Sequence, residues 1–156
     1  MAPTPSQTIG PFFHLTLGSS GPARMVADDH PGATVLAGRV LDGAGDGVSD
    51  ALVELWDGAN FARCHSETDG GFSFVVDKPA PLDGAPHFAV SVFARGLLGR
   101  LVTRCYFPDE AANATDPVLS AVAPERRATL IAASESDGLR FDICLQGDRE
   151  TVFFAL

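Results

Sequence analysis

The sequence predicts an all-β protein, an antiparallel β-sandwich of about eight strands with an extended N-terminal arm. Short apolar–polar alternations with a period of two recur along the chain, and clusters of Gly, Pro and Asp separate them. Stretches with the period of an amphipathic helix are scarce. The alternating segments are therefore expected to pair as two sheets around one core.

The predicted strands follow this alternation in chain order. The clearest is Leu139–Gln146, where Leu139, Phe141, Ile143 and Leu145 point to one face and the residues between them to the other. The predicted strands are Thr34–Val40, Ala51–Trp56, Gly71–Val76, His87–Ala94, Arg100–Phe107, Ala128–Ala133, Leu139–Gln146 and Thr151–Ala155.

The segments between these strands are rich in residues that form turns. Asp42–Gly47 and Ser136–Gly138 supply Gly and Asp, which tolerate positive φ, and are interpreted as loop or hairpin connections. Asp116–Val122 and Pro124–Arg127 are expected to hold a short helical turn at most, because their prolines limit them to connections.

The N-terminal segment differs from the rest of the chain. Pro3, Pro5 and Pro11 favour an extended conformation, and no amphipathic period accompanies them. We therefore expect residues 1–17 to form an arm and residues 18–156 to form a single β-sandwich domain, since 156 residues is a common size for one domain.

Composition excludes several classes of partner. The 11 basic and 20 acidic residues give a net charge of −9, which repels nucleic acids and anionic membranes. An anionic substrate would need a local cation, for which Arg is the obvious candidate. Cys64, Cys105 and Cys144 have no CxxC spacing and are interpreted as ordinary thiols of a reducing compartment. With no secretory leader or membrane span in the pattern, we expect a soluble, cytoplasmic protein.

No local motif for a metal or a nucleophile is present. Tyr106 is the only tyrosine, and His14, His30, His65 and His87 form no HxH or HxxxH pair. A site assembled from distant loops remains open. The chain also lacks a G-x-S-x-G elbow, so local motifs alone indicate neither metal-binding nor catalytic residues.

The strand that begins at His87 carries two polar side chains on its outward face. Phe88 and Val90 point to the core, whereas His87 and Arg95 point away from it and lie roughly 26 Å apart in an extended strand. The two side chains cannot share a small site unless the chain bends. Taken alone, they are interpreted as a partly buried imidazole and a solvated charge at a strand end.

Segments in order along nearly the whole chain resemble the alpha subunits of protocatechuate 3,4-dioxygenases: Thr4–Phe13, Val92–Glu110, Arg126–Ala132 and Arg140–Phe154. The resemblance implies the fold of intradiol dioxygenases, a β-sandwich in which related alpha and beta subunits pair around an active site. In the beta chain, two Tyr and two His hold ferric iron, and the histidines form a His-x-His pair.

The positions of these ligands are largely lost in this sequence. His87 matches the first histidine, Ala89 stands at the second, and Leu82 stands where a tyrosine is expected. The loop that would carry the other tyrosine is missing between Trp56 and Phe61. The resemblance therefore implies a subunit without iron, whose partner beta subunit holds the Fe(III).

With that partner, the resemblance implies O2-dependent intradiol cleavage of protocatechuate to 3-carboxy-cis,cis-muconate by a hetero-oligomer of alpha–beta pairs. The enzyme would be active only as this complex. The substrate-binding residues that carry over are Thr8, Gly10 and Pro11 of the arm, and Arg95 after the strand. Arg95 would be the local cation for the benzoate carboxylate.

Two other hypotheses remain open at this stage. One is a β-sandwich that binds a small molecule or a protein and catalyses nothing. The other is an autonomous enzyme that uses His87 with a ligand set lacking tyrosine. Co-expression with a beta-type chain separates the alpha-subunit hypothesis from both of these, because only an alpha subunit gains dioxygenase activity by forming a complex.

Overall fold

The computed structural model describes residues 3–10, 12–17, 23–81 and 83–155, and within them it shows two β-sheets around a shared core. The strands are β1 Ala23–Arg24, β2 Thr34–Leu41, β3 Leu52–Trp56, β4 Phe61–His65, β5 Gly71–Val76, β6 His87–Phe93, β7 Leu101–Tyr106, β8 Ala133–Glu135, β9 Gly138–Arg140 and β10 Ile143–Cys144. The helices are α1 His14–Leu17 and α2 Pro117–Ala121, with 3₁₀ helices at Ala111–Thr115 and Pro124–Leu130. The predicted fold class is confirmed.

The two sheets differ in their pairing. One runs β4-β3-β6-β7 and is antiparallel throughout. The other runs β1-β5-β2-β9-β8, with β10 also paired to β2, and it is mixed because β1, β9 and β10 pair in parallel. After β7 the chain crosses over through residues 107–132 before it enters the second sheet, and such a crossover allows parallel pairing.

Five of the predicted strands are confirmed to within one residue at each end, namely those observed as β2, β3, β5, β6 and β7. The strand predicted at Ala128–Ala133 is wrong, because the 3₁₀ helix Pro124–Leu130 occupies its first three residues and β8 begins only at Ala133. The strand predicted at Thr151–Ala155 is also wrong: this segment is irregular, although the backbone N–H of Phe154 donates to the carbonyl of Val102 at the edge of β7.

The strand predicted at Leu139–Gln146 is broken into β9 and β10. At the break, the Asp142 carboxylate accepts a hydrogen bond from the backbone N–H of Arg39 at 2.9 Å, which replaces one bond of the ladder. Gly38 permits the close approach there, because a Cβ on this residue would lie 1.8 Å from the carbonyl oxygen of Phe141. A side chain bonded to the neighbouring backbone thus interrupts an otherwise regular alternation.

The core has two parts. The main cluster lies between the sheets and includes Phe74, Phe88 and Val90, none more than 1% exposed. A second cluster packs the helical connection against the end of β7 and consists of Ala85, Tyr106, Leu119 and Leu130, with partly buried hydrophobic side chains around them.

The three thiols are free. Cys64 and Cys105 are buried, Cys144 is half-buried, and burial raises the pKa of Cys64 to about 12. Such thiols are unreactive at neutral pH. Within the described part of the chain, no helix has the length and apolar character needed to cross a membrane.

The N-terminal arm is attached to the sandwich. Residues 3–10 have no regular secondary structure, and His14–Leu17 form a helical turn that the prediction does not include. Proline-free sequence begins at Phe12, so backbone N–H groups are available for the turn, and Leu17 N–H donates to the carbonyl of Phe13 at 3.0 Å.

Candidate functional site

Arg95 lies in the turn that follows β6. Because β6 pairs with β3 in the register Leu52 opposite Phe93, continuing the register places Asp50 opposite Arg95. The guanidinium Nε of Arg95 donates a hydrogen bond to Oδ2 of Asp50. The Arg95 side chain is 56% exposed and that of Asp50 is 24% exposed. No described residue accepts a hydrogen bond from the two terminal nitrogens of Arg95, which leaves them available at the surface.

Thr8 of the arm lies against the same turn. Its hydroxyl donates to the carbonyl of Ala94 at 3.3 Å and accepts from the backbone N–H of Gly96 at 2.8 Å. Leu97 N–H closes the turn onto Ala94, and Gly96 has φ +91°, which glycine adopts without strain. The structure therefore brings Thr8 and Arg95 together, with the hydroxyl bonded on both sides of the arginine.

The bonds of Thr8 limit what its hydroxyl can offer to a substrate, and contact of Thr8 with a substrate stays a prediction. A threonine hydroxyl has one proton to donate, and here Ala94 accepts it. Thr8 thus holds the turn that carries Arg95, and one lone pair is all that its hydroxyl can still offer to a ligand.

For the other two predicted arm residues, Gly10 and Pro11, the described part of the chain shows no contact that indicates a role. Gly10 is exposed, and a Cβ at this position would meet nothing within 4 Å. Pro11 lies outside the described residues. Contact of either residue with a substrate therefore stays a prediction.

An aromatic contact anchors the arm beyond Pro11. Phe13 is 9% exposed, and its ring packs against that of His65 with the centroids 5.4 Å apart. By contrast, Phe12 and Leu15 are 72% and 68% exposed, and Leu98, in the β6–β7 loop, is 63% exposed. The arm and this loop together present large apolar side chains to the outside.

The single tyrosine is engaged in a buried network. Tyr106 is fully buried, its hydroxyl donates to Oδ1 of Asp116 at 3.0 Å, and it accepts from Nη1 of Arg104 at 3.1 Å. Burial raises the pKa of Tyr106 to about 12. Tyrosinate ligation of ferric iron requires the opposite, an ionised oxygen with a lone pair directed at the metal, whereas this hydroxyl is bonded to Asp116 and Arg104.

His87 does not complete a metal site either. Its Nδ1 hydrogen-bonds to the carbonyl of Ala85 at 2.9 Å, and its ring lies against Tyr106 with the centroids 5.1 Å apart. Burial lowers the pKa of His87, so the imidazole is neutral at pH 7. Ala89 has no donor atom, and Leu82 lies outside the described residues. Among the residues described, no group of three or more His, Cys, Asp or Glu could hold a metal ion. A set of two Tyr and two His does not fit this chain.

Sequence reasoning missed Asp50 as part of the arginine site. Nothing in the residues around it marks a functional carboxylate, and only the register of β3 against β6 brings it to Arg95. The two strands were predicted, but their alternation does not fix the register that brings Asp50 opposite Arg95.

No protein-family model matches the chain, but curated relatives do. The protocatechuate 3,4-dioxygenase alpha chain of Burkholderia cepacia is 41% identical over 189 aligned positions, which take in 97% of this chain and 96% of that one. The alpha chain of Pseudomonas putida is 40% identical, over 97% and 95% of the two chains. The alignments are longer than this chain, so both relatives carry residues that have no counterpart here.

A beta chain is also similar. The protocatechuate 3,4-dioxygenase beta chain of Burkholderia cepacia is 30% identical over 72% of this chain and 64% of its own length.

Solved structures share the fold. The dioxygenase domain of a dioxygenase and carbohydrate-binding protein fusion from Streptomyces sp. SirexAA-E superimposes with a TM-score of 0.65 at 25% identity, over 94% of this chain and 99% of that one. Hydroxyquinol 1,2-dioxygenase from Pseudomonas putida gives a TM-score of 0.60 at 20% identity, over 90% and 65% of the two chains.

Proposed function

The chain belongs to the family of protocatechuate 3,4-dioxygenase alpha chains, and from this premise we propose that it is the non-iron subunit of an enzyme that cleaves protocatechuate. The ring opens between its two hydroxyl-bearing carbons, both atoms of O2 enter the product, and the product is 3-carboxy-cis,cis-muconate. The observation that carries this proposal is similarity to alpha chains over nearly the whole length, in a chain whose only tyrosine is buried and hydrogen-bonded.

Intradiol dioxygenases use iron, and the residues of this chain do not fit the iron site. We assign the Fe(III) to a partner beta subunit, which would supply the metal chemistry of the ring cleavage. The similarity of this chain to a beta chain supports the assignment, because related subunits commonly pair through related surfaces. The free cysteines are consistent with a reducing, cytoplasmic location.

In this proposal the chain binds and orients the substrate. Protocatechuate carries its carboxylate on the side of the ring away from the two hydroxyl groups, so a cation that holds the carboxylate directs the diol toward the partner subunit. The exposed terminal nitrogens of Arg95 are suited to this role in a chain with net charge −9. A charge-assisted hydrogen bond of this kind contributes about 1.5–3 kcal/mol.

The arm, residues 1–17, would cover the partner's pocket, and residues 18–156 would form the supporting sandwich. Thr8 would hold the Arg95 turn, and Gly10 and Pro11 would form the wall beside the substrate ring. Exposed Phe12 and Leu15 support a contact of the arm with another subunit, because large apolar side chains on one segment favour an interface.

The test is an Arg95→Ala substitution in the complex co-expressed with a beta-type chain. We expect kcat/KM for protocatechuate to fall roughly 10- to 150-fold, since 1.4 kcal/mol corresponds to about tenfold. Catechol has no carboxylate, so its turnover should change far less. Arg95→Lys should recover part of the loss, because an ammonium retains the charge but not the planar fork.

Arg24→Ala is the matched control, because Arg24 is also about half exposed and paired with an aspartate, Asp28, but lies in the other sheet. It should leave both substrates unaffected. Equal losses for protocatechuate and catechol in the Arg95→Ala complex would show that Arg95 stabilises the interface instead of binding the carboxylate. If co-expression gives no dioxygenase activity at all, the chain is a non-catalytic binding module.

A further inference from the structure

Asp50 stands on a rigid part of the backbone. The hydroxyl of Ser66, which is 6% exposed, donates to the carbonyl of Val48 at 2.6 Å and accepts from the backbone N–H of Ala51 at 2.9 Å. The backbone N–H of Ser66 in turn donates to the carbonyl of Ala51 at 2.9 Å. A buried serine therefore holds the chain on both sides of Asp50.

Arg95 is held in the same manner from the other side of the ion pair. The Thr8 hydroxyl bonds the backbone of Ala94 and of Gly96, the residues that flank Arg95. Asp50 therefore projects from backbone that a buried serine holds, and Arg95 projects from a turn that is closed by the Leu97 N–H bond to Ala94 and bonded on both sides by the exposed Thr8 hydroxyl. Groups held in this way are typical of sites that need a defined orientation.

We propose that Asp50 is a positioning residue that sets the direction of the Arg95 guanidinium for binding the substrate carboxylate, an inference that rests on the function proposed above. Arginine presents five N–H donors in a rigid plane. Asp50 accepts from Nε, and this bond fixes the plane of the fork while the two terminal nitrogens remain for a bidentate carboxylate. Without Asp50 the long side chain must be ordered by the substrate itself, which weakens binding.

The negative charge of Asp50 also repels the substrate carboxylate and partly neutralises Arg95. Removal of Asp50 therefore shows whether it mainly orients the guanidinium or mainly weakens its attraction for the substrate. If orientation dominates, Asp50→Ala lowers affinity for protocatechuate. If the carboxylate only screens Arg95, the same substitution raises affinity. The sign of the change therefore decides between the two roles.

The experiment uses the assembled complex and measures binding of protocatechuate and of catechol by calorimetry without O2, alongside steady-state kinetics. Asp50→Ala should raise Kd and KM for protocatechuate about 3- to 10-fold, with kcat changed less than about twofold and catechol unaffected. Asp50→Asn retains an acceptor for Nε and should recover most of the loss. In an Arg95→Ala background, Asp50→Ala should have no further effect, because the two residues act as one unit.

Asp28→Ala serves as the control, since Asp28 is the exposed partner of Arg24. Tighter binding of protocatechuate by Asp50→Ala, or equal losses for both substrates, would overturn the positioning role. A carboxylate-selective loss in Arg95→Ala without one in Asp50→Ala refutes the positioning role alone. If Arg95→Ala itself shows no selective loss, the proposed substrate contact fails, and the positioning role fails with it.

Discussion

Replacement of Asp116 by alanine tests how much the hydrogen bonds of this buried carboxylate stabilise the second core cluster. Asp116 is 1% exposed, and its carboxylate accepts four hydrogen bonds. Oδ1 accepts from the backbone N–H groups of Val118 and Leu119 at 2.9 and 2.8 Å and from the Tyr106 hydroxyl at 3.0 Å, and Oδ2 accepts from Ala85 N–H at 2.9 Å. The residue thus caps α2 and ties it to two buried donors.

The expected loss in the free energy of unfolding follows from these four hydrogen bonds. Removing an N-cap costs about 0.5–2 kcal/mol. Ala85 N–H and the Tyr106 hydroxyl would each remain buried without an acceptor, at about 1–3 kcal/mol apiece before relaxation. Because the surroundings relax and such losses are not additive, we expect about 3–5 kcal/mol in total. For a chain of this size, that lowers Tm by roughly 6–20 °C.

Thermal unfolding of the purified chain measures this change, with Asp57→Ala as the control. Asp57 also accepts from backbone N–H groups, those of Ala59 and Asn60, but in an exposed turn, so its removal should lower Tm by only about 2–4 °C. Asp116→Asn keeps an acceptor for α2 yet presents an amide to the N–H of Ala85, and should give an intermediate Tm. A melting point for Asp116→Ala within about 2 °C of wild type would refute the reasoning.

The loss of stability in Asp116→Ala should also depend on pH. Burial opposes ionisation of Asp116, but the bonds from Leu119, Ala85, Tyr106 and Val118 outweigh it and lower its pKa below the ordinary value of 3.8. The stabilisation is therefore complete above the unfolded pKa and is lost as pH falls through the lower, folded pKa. The difference between wild type and Asp116→Ala should persist at pH 5 to 7 and shrink below pH 3.8.

Two further predictions concern the tyrosine and the metal. Tyr106 is the only tyrosine, so phenolate absorbance reports on it alone. Burial raises the pKa of Tyr106 to about 12. The stability that the buried phenol contributes is therefore present below the unfolded pKa of 10.0 and is lost as pH rises through the folded pKa. A phenolate that titrates near pH 10 while circular dichroism shows a folded chain would contradict the burial. The isolated chain, treated with ferric salt and desalted, should retain well under one equivalent of iron by metal analysis and show no visible tyrosinate band, and stoichiometric coloured iron would be the contrary result.

Alternation predicted five strands of the two sheets, and it failed where the inward side chains are small or where a bond between a side chain and the backbone interrupts the ladder. β6 alternates cleanly and was predicted to within one residue. β4 was missed because its inward residues are the small Ala62 and Cys64, while the larger Phe61 is 47% exposed. The break at Asp142 depends on a bond to the backbone of Arg39, and no local period encodes a contact between such distant residues.

The candidate site likewise contains one residue that the sequence predicted and one that it did not. Arg95 could be placed at the end of a strand because β6 is regular, and its proximity to Thr8 agrees with the resemblance that named both residues. Asp50 could not be found, because its contact follows from the register between two strands, and sequence periodicity fixes which face a residue occupies but not its partner across the sheet.

The weak attachment of the arm means that the chain populates states in which the arm is detached and the sandwich stays folded. Residues 3–10 are held chiefly by the two bonds of one hydroxyl, that of Thr8, whereas Phe13 is secured by burial. Bonds of this strength permit local opening in a minority of molecules, roughly 1–10%, while the sandwich stays intact. A partner that requires the docked arm binds with an affinity scaled by the docked fraction. Substitutions in this segment would therefore change affinity for the proposed partner subunit over a small range without any change in the core.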